Sequence, residues 1–367
     1  MIVVVGAGLT GAAAAWELAR RGVQVTLIEA YGIGHRNGSS HGTSRIFRRA
    51  YADPFYIELT GQAGECWREL EADSGTALLR TTGGIDFGAG RDPQRLARVL
   101  AAAGVPHELV PAKAAGERWP NFRFDGPVLF HPEAGVVDAD ATVAACVRRA
   151  AELGADVRTH TRVTGIDVRD GARVRTDDGA ELTADAVVVA AGPWLPELAG
   201  GIGVPLSLPP LRVTQQQVFH FRQRDPGQAW PILVAKDEMQ IYGLPSGGDG
   251  GAAPAIKVAQ HDGGTPTTAS TRDGVVNPAS RAAVSAWVEK WLPGLDPVPV
   301  AEASCLYTVT PDEDFILDRT GPVVVASPCS GHGAKFAPLI GRMAADLALG
   351  KAEPHPRFAL RRTETTS

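Results

Sequence analysis

The chain has few cysteines, no close pair of histidines and no long apolar run, and each shortage argues against a class of protein. The four cysteines, at positions 66, 146, 305 and 329, form no CxxC pair, which argues against a disulfide framework and fits a reducing compartment. No two histidines lie three or four positions apart, so a helical metal site has little support. The first apolar run, residues 2–5, is too short for a signal sequence, and no run reaches the roughly 18 residues that span a bilayer. We therefore expect a cytoplasmic protein without a membrane partner.

The charge balance is slightly acidic and contains no basic run. The 367 residues include 36 Lys plus Arg and 41 Asp plus Glu, for a formal charge of −5. Such a balance provides no electrostatic footprint for nucleic acid or an anionic membrane, so neither is expected as a partner. Only six of the 36 basic residues are lysines, so each lysine in a patterned segment merits attention. With 44% hydrophobic residues, a chain of this length buries a sizeable core and is expected to form two lobes.

The first thirty residues are typical of a βαβ unit that binds a dinucleotide. An apolar strand over residues 2–5 precedes a glycine-rich turn, an alanine-rich helix over 11–21 and a second strand over 23–29. The turn carries the GxGxxG pattern, whose glycines are Gly6, Gly8 and Gly11. Glycines let the backbone approach a pyrophosphate at a helix N-terminus, and Glu29 can accept a hydrogen bond from a ribose hydroxyl. These residues predict a bound dinucleotide without deciding between NAD and FAD.

Helices and strands continue along the rest of the chain. Four more helices are predicted after N-cap types of residue, three of them with Pro in the first turn: 53 to about 72, 92–104, 138–154 and 277 to about 292. Short alternating runs from 155 to 192 predict an antiparallel meander that returns to a central strand, and residues 211–262 predict another β-rich stretch. Two glycine-rich segments, 246–254 and 262–274, are typical of exposed loops.

A basic cluster, HGTSRIFRRAY at residues 41–51, stands out in this acidic chain. It places His41, Arg45, Arg48 and Arg49 within nine positions. Arginine side chains recognise carboxylates and phosphates through paired hydrogen bonds, so the cluster indicates an anion nearby. Arg49 is expected to face outward or to bind a structural carboxylate. The alternative interpretation is a solvated basic helix end.

Three motifs together resemble one enzyme family. They are HGTSRIFRRAY at 41–51, SCLYTVTPDEDFILD at 304–318 and SGHGAKFAP at 330–338. With GxGxxG and the order of elements between them, they resemble the monomeric sarcosine oxidase and N-methyltryptophan oxidase family, within the D-amino acid oxidase-like FAD-dependent oxidoreductases. The resemblance covers nearly the whole chain. It implies an α/β (α+β) fold in which a Rossmann-like FAD-binding domain is combined with a β-sheet substrate-binding lobe.

The domains are expected to be interleaved in the sequence. The FAD-binding domain is assigned to residues 1–80, 139–205 and 300–367, and the substrate-binding domain to residues 81–138 and 206–299. A monomer is expected.

The resemblance implies that FAD is held covalently, through an 8α-S-cysteinyl bond to Cys305. A thiolate beside the dimethylbenzene edge of a flavin can form such a thioether. Cys329 is the rival attachment site. Cys66 and Cys146 lie in predicted helices and are expected to pack in the core.

Further cofactor contacts come from the backbone. The resemblance implies that the backbone of Val163 contacts adenine. The glycines Gly331 and Gly333 are expected to let N–H groups approach the flavin ring.

The resemblance also assigns roles around the substrate. Arg48 and Lys335 are expected to clamp its carboxylate, and Tyr242 to line its pocket. Arg45 with His41 would lie along the flavin, where positive charge favours the reduced anionic form.

Lys257 lies in a predicted strand, where alternation places it on one face with Ala259 and His261, opposite Ile256 and Val258. In the resembled family the matching lysine activates O2 with its fixed charge. The alternative is a solvated lysine on an exposed strand face. His261 is matched to an active-site histidine, with a structural role as the alternative.

These roles imply an enzyme that oxidises a small secondary or cyclic amino acid with a free carboxylate to an imine, with O2 reduced to H2O2. RVTQQQV at 212–218 replaces the usual Tyr-Arg-Gln run of sarcosine enzymes, and the glycine-rich loop before Lys257 is longer. The substrate therefore stays open among sarcosine, a larger N-methyl amino acid, a cyclic imino acid such as proline, pipecolate or a piperideine carboxylate, and a fructosyl amino acid. The competing classes are a dehydrogenase that passes electrons to a carrier protein, an NAD-dependent enzyme and a non-catalytic flavin-binding subunit.

Overall fold

The structure is a computed structural model that describes residues 1–328 and 330–360. Cys329, the rival attachment site, lies outside the described residues. In the described part of the chain we number eight helices and 21 strands in chain order. The helices are α1 (Leu9–Arg20), α2 (Pro54–Ser74), α3 (Pro93–Ala102), α4 (Ala112–Arg118), α5 (Ala139–Glu152), α6 (Leu195–Ala199), α7 (Pro278–Trp291) and α8 (Ala337–Ala348).

A six-stranded sheet carries the N-terminal unit. Its strands, in spatial order, are β20 (Ile316–Thr320), β21 (Val323–Ser327), β13 (Ala186–Val189), β1 (Ile2–Val5), β2 (Val25–Ile28) and β9 (Asp156–Arg158). All neighbours except β20 and β21 pair in parallel. Every residue of β1 and β2 is buried, because a central parallel strand is covered on both faces, and all of these residues except Thr26 are apolar. The predicted βαβ opening is confirmed.

Helices cover one face of this sheet, and a small antiparallel sheet covers the other. On the helical face, α1 packs against α5 and α8, and both Cys66 of α2 and Cys146 of α5 are buried in that core, as predicted. The opposite face is covered by β10 (Val163–Arg169), β11 (Gly171–Thr176) and β12 (Glu181–Ala184). The predicted meander is therefore confirmed, except that β9 joins the parallel sheet beside β2 instead of the meander.

A nine-stranded sheet forms the second large layer. Its strands, in order, are β18 (Thr265–Pro266), β14 (Arg212–Gln223), β17 (Ala255–Gln260), β16 (Gln240–Pro245), β15 (Ile232–Lys236), β5 (Gly84–Phe87), β7 (Val128–His131) and β6 (Glu108–Val110), with β19 (Leu295–Val309) paired to β14. One face packs against α7 in a core that includes Phe219, Ile256 and Val288. The domain boundaries themselves stay a prediction.

A fourth sheet, with three strands, fixes the basic segment. It consists of β3 (Arg45–Phe47), β8 (Gly135–Val137) and β4 (Leu79–Thr81), with β8 in the middle. Backbone pairing with β8 therefore anchors Arg45, and Arg48 and Arg49 follow directly after the strand.

The predicted helix starts are confirmed by their caps. The side chains of Asp53, Asp92, Asp138 and Asn277 each accept a hydrogen bond from a backbone N–H in the first turn that follows. The prediction for residues 246–254 was wrong in part. Most of that loop is exposed, but Gly250 is buried and the Asp249 side chain turns inward, as described below.

Among the residues that the structure describes, no helix has both the length and the apolar character required to cross a bilayer.

Candidate active site

One large cavity is lined by residues of both large sheets. Its volume is about 810 Å³, and its wall extends from the glycine-rich turn after β1 to Lys335, just ahead of α8. Within the described residues, all the predicted site residues except Gly11 line this cavity. The fold thus brings together side chains that are more than 300 positions apart in the sequence.

The glycine-rich turn has the tight geometry that its sequence predicts. Gly6 adopts a φ of +95°, and a Cβ there would lie 2.5 Å from the carbonyl oxygen of Ala190. A Cβ at Gly11 would overlap the Gly6 carbonyl oxygen, so α1 packs directly on the turn. Gly8 is the N-cap of α1 and has no side chain, and the backbone N–H of Leu9 donates to Ser40 Oγ at 3.0 Å. Gly8, Leu9 and Thr10 line the cavity, so the helix N-terminus faces it.

Glu29 directly follows β2, and both oxygens of its carboxylate have protein partners. It accepts hydrogen bonds from the backbone N–H groups of Ala7 at 2.8 Å and Tyr31 at 3.0 Å, and it lies 3.3 Å from His35. Burial raises the pKa of Glu29, but the hydrogen bonds from His35 and the two backbone groups outweigh burial and lower it. The carboxylate is therefore ionised. Val163, at the start of β10, lines the same end of the cavity.

Arg45 is held by backbone oxygens beside the middle of the cavity. Its guanidinium donates to the carbonyls of Ser44 at 2.8 Å, Ser39 at 3.0 Å and His41 at 2.5 Å. Burial, together with the charge of Arg45, lowers the pKa of His41 to about 4. His41 is therefore neutral at neutral pH.

Lys257 lies in β17 and is 3% exposed. The alternation is as predicted, since Ile256 and Val258 pack in the core on the opposite face. Its ammonium donates to the carbonyl of Ser44 at 2.8 Å. Burial and the charge of Arg45 lower the pKa of Lys257 to about 8. The alternative of a solvated lysine is therefore wrong.

Cys305 is a buried thiol in β19, opposite Gln216 of β14. Burial raises its pKa, whereas the nearby charges of Arg45 and Lys257 oppose that rise. These two cations are the groups that would favour a thiolate at this position.

Two buried basic side chains, Lys335 and Arg48, lie together at the other end of the cavity. Lys335 is 4% exposed and donates to the carbonyl of His332 at 2.8 Å, while Arg48 donates to the carbonyl of Ala50. Both lie over the ring of Tyr51, with Arg48 Cζ at 4.7 Å and Lys335 Nζ at 5.6 Å from its centroid. Neither forms a salt bridge with a carboxylate of the described residues, although the buried Asp86 acts on Arg48 through its charge from beyond salt-bridge distance. Burial, reinforced by Arg48, lowers the pKa of Lys335 well below its ordinary value.

Aromatic rings close this end of the cavity. The ring centroid of His261 lies 5.5 Å from that of Tyr307 and 6.5 Å from that of Tyr242. Gly331 has a φ of +74°, and a Cβ there would lie 2.6 Å from both His261 and Tyr307, so the turn approaches the rings closely. Burial, with the charges of Arg48 and Lys335, lowers the pKa of His261 to about 4. His261 is therefore neutral at neutral pH.

Sequence reasoning missed a supporting network behind Arg48. Arg91 pairs with the fully buried Asp86 and donates at 2.9 Å to the carbonyl of Ala50, which also accepts from Arg48. His131 lies 2.7 Å from the other oxygen of Asp86. Burial would raise the pKa of Asp86, but Arg91 and His131 hold it well below its usual range. These residues carry no local signal, because only tertiary contacts bring them together.

Tyr51, Tyr307 and Asp249 also line the cavity and were missed. The two tyrosines stand inside the motifs HGTSRIFRRAY and SCLYTVTPDEDFILD, so closer attention to aromatic residues in those motifs would have found them. Asp249 lies in a segment whose composition predicts only an exposed loop.

A family model described as FAD dependent oxidoreductase matches residues 1–347. The chain belongs to the FAD-dependent oxidoreductase family. Its similarity to the monomeric sarcosine oxidase of Streptomyces avermitilis is 34% identity over 97% of this chain and 95% of that protein. N-methyl-L-tryptophan oxidase of Yersinia pestis is 31% identical over 96% of each. The open form of NikD, an amino acid oxidase essential for nikkomycin biosynthesis, matches with a TM-score of 0.87 at 27% identity, over 98% of this chain and 96% of that chain.

These matches confirm the resemblance, the fold class and an FAD-dependent oxidoreductase of the sarcosine oxidase-like group. The cavity of this family member offers FAD suitable partners. Four buried polar atoms on its wall have no hydrogen-bond partner among the described residues: His41 Nε2, Ser44 Oγ, Trp194 Nε1 and Thr308 Oγ1. Since buried polar groups are normally paired, these atoms indicate a polar ligand, and the glycine-rich turn would hold its pyrophosphate. The residues present therefore fit FAD.

Proposed function

We propose that this FAD-dependent oxidoreductase oxidises the C–N bond of a small secondary or cyclic amino acid to an imine and reduces O2 to H2O2. The observation that carries the proposal is the pair of basic side chains, Arg48 and Lys335, that share the Tyr51 ring and have no counter-ion within salt-bridge distance among the described residues. A substrate carboxylate would supply that counter-ion. It would also hold the amine in one orientation.

The energetics favour a carboxylate over a neutral group at this end. Taking a charge out of water costs several kcal/mol even after relaxation, unless an opposite charge and hydrogen bonds offset the loss. A guanidinium matches a carboxylate through two parallel hydrogen bonds, and the ammonium of Lys335 can add a third. Arg91 and Asp86 support the position of Arg48 through the shared Ala50 carbonyl.

FAD, when bound, accepts a hydride equivalent from the substrate carbon and returns two electrons to O2. Arg45, fixed by three carbonyls, would provide positive charge along the flavin, while the neutral His41 would contribute a hydrogen bond. Lys257 would face the negative charge that develops on O2. Tyr242 and His261 would form the wall of the substrate pocket.

The names of the relatives narrow the substrate class. As their names state, these relatives oxidise sarcosine and N-methyl-L-tryptophan. Both amino acids carry an N-methyl group and a carboxylate. We extend the class to cyclic imino acids and fructosyl amino acids, because each of them has a secondary amine and a carboxylate. Arg48 and Lys335, together called the carboxylate clamp, would bind that carboxylate in each case.

We further propose that FAD is attached through an 8α-S-cysteinyl bond to Cys305. The position of this thiol on the cavity wall beside Arg45 and Lys257 supports the proposal. The flavin colour should then remain with the protein after acid precipitation. Full release of the colour into the supernatant would contradict the bond, while leaving noncovalent FAD intact as a proposal.

A monomer in the cytoplasm is the accompanying proposal. Three described cysteines are buried, unpaired thiols, which suits a reducing compartment, and one curated relative is named a monomeric enzyme.

The test is anaerobic mixing with a panel of sarcosine, larger N-methyl amino acids, proline, pipecolate and fructosyl amino acids. At least one should bleach the visible flavin absorbance, and admitted O2 should restore it with an equal amount of H2O2. Bleaching that O2 does not reverse would contradict the oxidase and favour a dehydrogenase that uses a carrier protein. A flavin that no amine bleaches would contradict the proposed reaction.

A further inference from the structure

A carboxylate that has no place in the proposed reaction faces the Lys257 ammonium. Asp249 lies in a short 3₁₀ turn, Gly248–Gly250, within the glycine-rich loop that precedes β17. Its Oδ2 lies 3.4 Å from Lys257 Nζ. The Asp249 side chain is 17% exposed and the lysine side chain 4% exposed, so water screens this ion pair only weakly.

The loop is docked so that the carboxylate has a fixed position. Thr43 donates through its hydroxyl to Asp249 Oδ1 at 2.6 Å and through its backbone N–H to Oδ2 at 3.3 Å. The backbone N–H of Asp249 donates back to the Thr43 hydroxyl at 3.2 Å. Thr43 is next to Ser44, whose carbonyl accepts from Lys257. One segment therefore positions both partners of the ion pair.

The surroundings of Lys257 are otherwise unfavourable to a second positive charge. The titratable and charged groups that face it are Arg45, His41, His220, Cys305 and Asp249. Among the described residues facing it, Asp249 is the carboxylate that opposes Arg45 and burial, which together lower the lysine pKa to about 8. Burial raises the pKa of Asp249 itself, but Lys257 brings it down to about 2, so the carboxylate is ionised at neutral pH.

We propose that Asp249 is a positioning residue for Lys257, and that it keeps the ammonium charged and aimed at the cavity over the pH range in which the enzyme reacts with O2. The proposal rests on the role of Lys257 in the proposed function. The other residues of this loop, apart from Gly250, are largely exposed. A loop at the surface therefore supplies the carboxylate that stabilises the buried Lys257 ammonium.

The test compares wild-type holoenzyme with Asp249→Asn, which keeps the size of the side chain and removes its charge. The first measurement is the pKa of Lys257, from 13C NMR of the six lysines, with Lys257→Met to assign the signal. Loss of an opposite charge at this distance should lower that pKa by about one unit or more. An unchanged lysine pKa would overturn the proposal, whatever the activity of the enzyme.

The second measurement is the pH dependence of the reaction with O2 after reduction of the flavin by dithionite. In Asp249→Asn, the pH above which this rate falls should shift downward with the lysine pKa, while anaerobic reduction by the amine keeps its wild-type pH profile. A shifted lysine pKa with an unshifted O2 profile would contradict the proposed link between the two. Because dithionite replaces the amine, failure of the proposed amine oxidation would not affect this result.

Three more variants separate charge from structure. Asp249→Glu keeps the charge and should restore most of the wild-type lysine pKa. Thr43→Val removes the 2.6 Å hydrogen bond and should shift the pKa in the same direction as Asp249→Asn, but by less. Asp225→Asn, in a turn where the aspartate caps the N–H of Gly227, is the matched control and should change neither measurement. Equal shifts in Asp225→Asn and Asp249→Asn would overturn the proposal.

Discussion

The two ends of the cavity differ in how their charged side chains are satisfied. At the proposed dinucleotide end, the Glu29 carboxylate accepts hydrogen bonds from two backbone N–H groups and lies 3.3 Å from His35, so it has protein partners before a ligand binds. At the proposed substrate end, neither Arg48 nor Lys335 forms a salt bridge among the described residues, and Asp86, the carboxylate that acts on Arg48 through its charge, is already bound by Arg91 and His131. The first end can hold its geometry before a ligand binds, whereas under the proposed function the second would be completed by the charge of the substrate. On that proposal, the cofactor end is a stable scaffold and the other end provides selectivity for an anion.

The largest expected effect is at the dinucleotide end, where Gly11→Ala should abolish FAD binding. The added methyl group would overlap the Gly6 carbonyl oxygen, so the turn or α1 would have to move. The ratio of flavin to protein absorbance in the purified variant measures the effect. Gly116→Ala is a matched control, because Gly116 lies in α4 with open space around it, and it should retain FAD. A Gly11→Ala protein with full flavin content would show that this turn does not carry the cofactor.

The next effect is at the substrate end, where Arg48→Met should impair anaerobic reduction of the flavin without loss of FAD. Removal of one partner from a buried charge pair costs about 2–5 kcal/mol, which corresponds to roughly thirty-fold to several thousand-fold in the second-order rate constant. Stopped-flow reduction by the best amine of the panel measures it.

Arg49→Lys provides the control for that variant. Arg49 follows Arg48 directly but lies 3.6 Å from Glu133, outside the set of cavity-lining residues. We expect a rate close to that of the wild type. Similar losses in both variants would mean that the segment as a whole, rather than Arg48, supports the reaction.

A smaller effect is expected in the number of protons that the enzyme takes up when a carboxylate binds. The pKa of Lys335 is lowered in the free enzyme, and a bound carboxylate would raise it. Binding should therefore take up protons at pH values between the Lys335 pKa of the free enzyme and that of the complex. Affinity for a non-reacting carboxylate should therefore fall as pH rises through that interval. Calorimetry in buffers of different ionisation enthalpy measures the uptake, which should not exceed about one proton. Undiminished uptake in Lys335→Met would assign the proton to another group.

The sequence correctly predicted the features that are determined by residues close together in the chain, namely helix starts and the alternation within a strand. The helices after Asp53, Asp92, Asp138 and Asn277 begin at the predicted caps, because a cap is satisfied within its own first turn. The alternation in β17 correctly placed Lys257 opposite the apolar residues.

Such local patterns could not predict which strands pair, or which side chains come into contact, across long distances in the sequence. Residues 156–158 alternate like the meander that follows, yet β9 pairs with β2, because strand partners are chosen by the whole fold. Asp86 and Arg91 form a buried ion pair behind Arg48, and nothing in their local sequence distinguishes them from surface residues. Asp249 lies among glycines that predict exposure, and only the docking of its loop on Thr43 turns it toward Lys257.

The most direct test of the carboxylate clamp compares a reactive amino acid with its carboxamide, in wild type and in Arg48→Met. The clamp predicts that wild type is bleached far faster by the carboxylate than by the amide, by about a hundred-fold or more, and that the ratio falls toward one in Arg48→Met. Equal rates for carboxylate and amide in the wild-type enzyme would contradict the clamp.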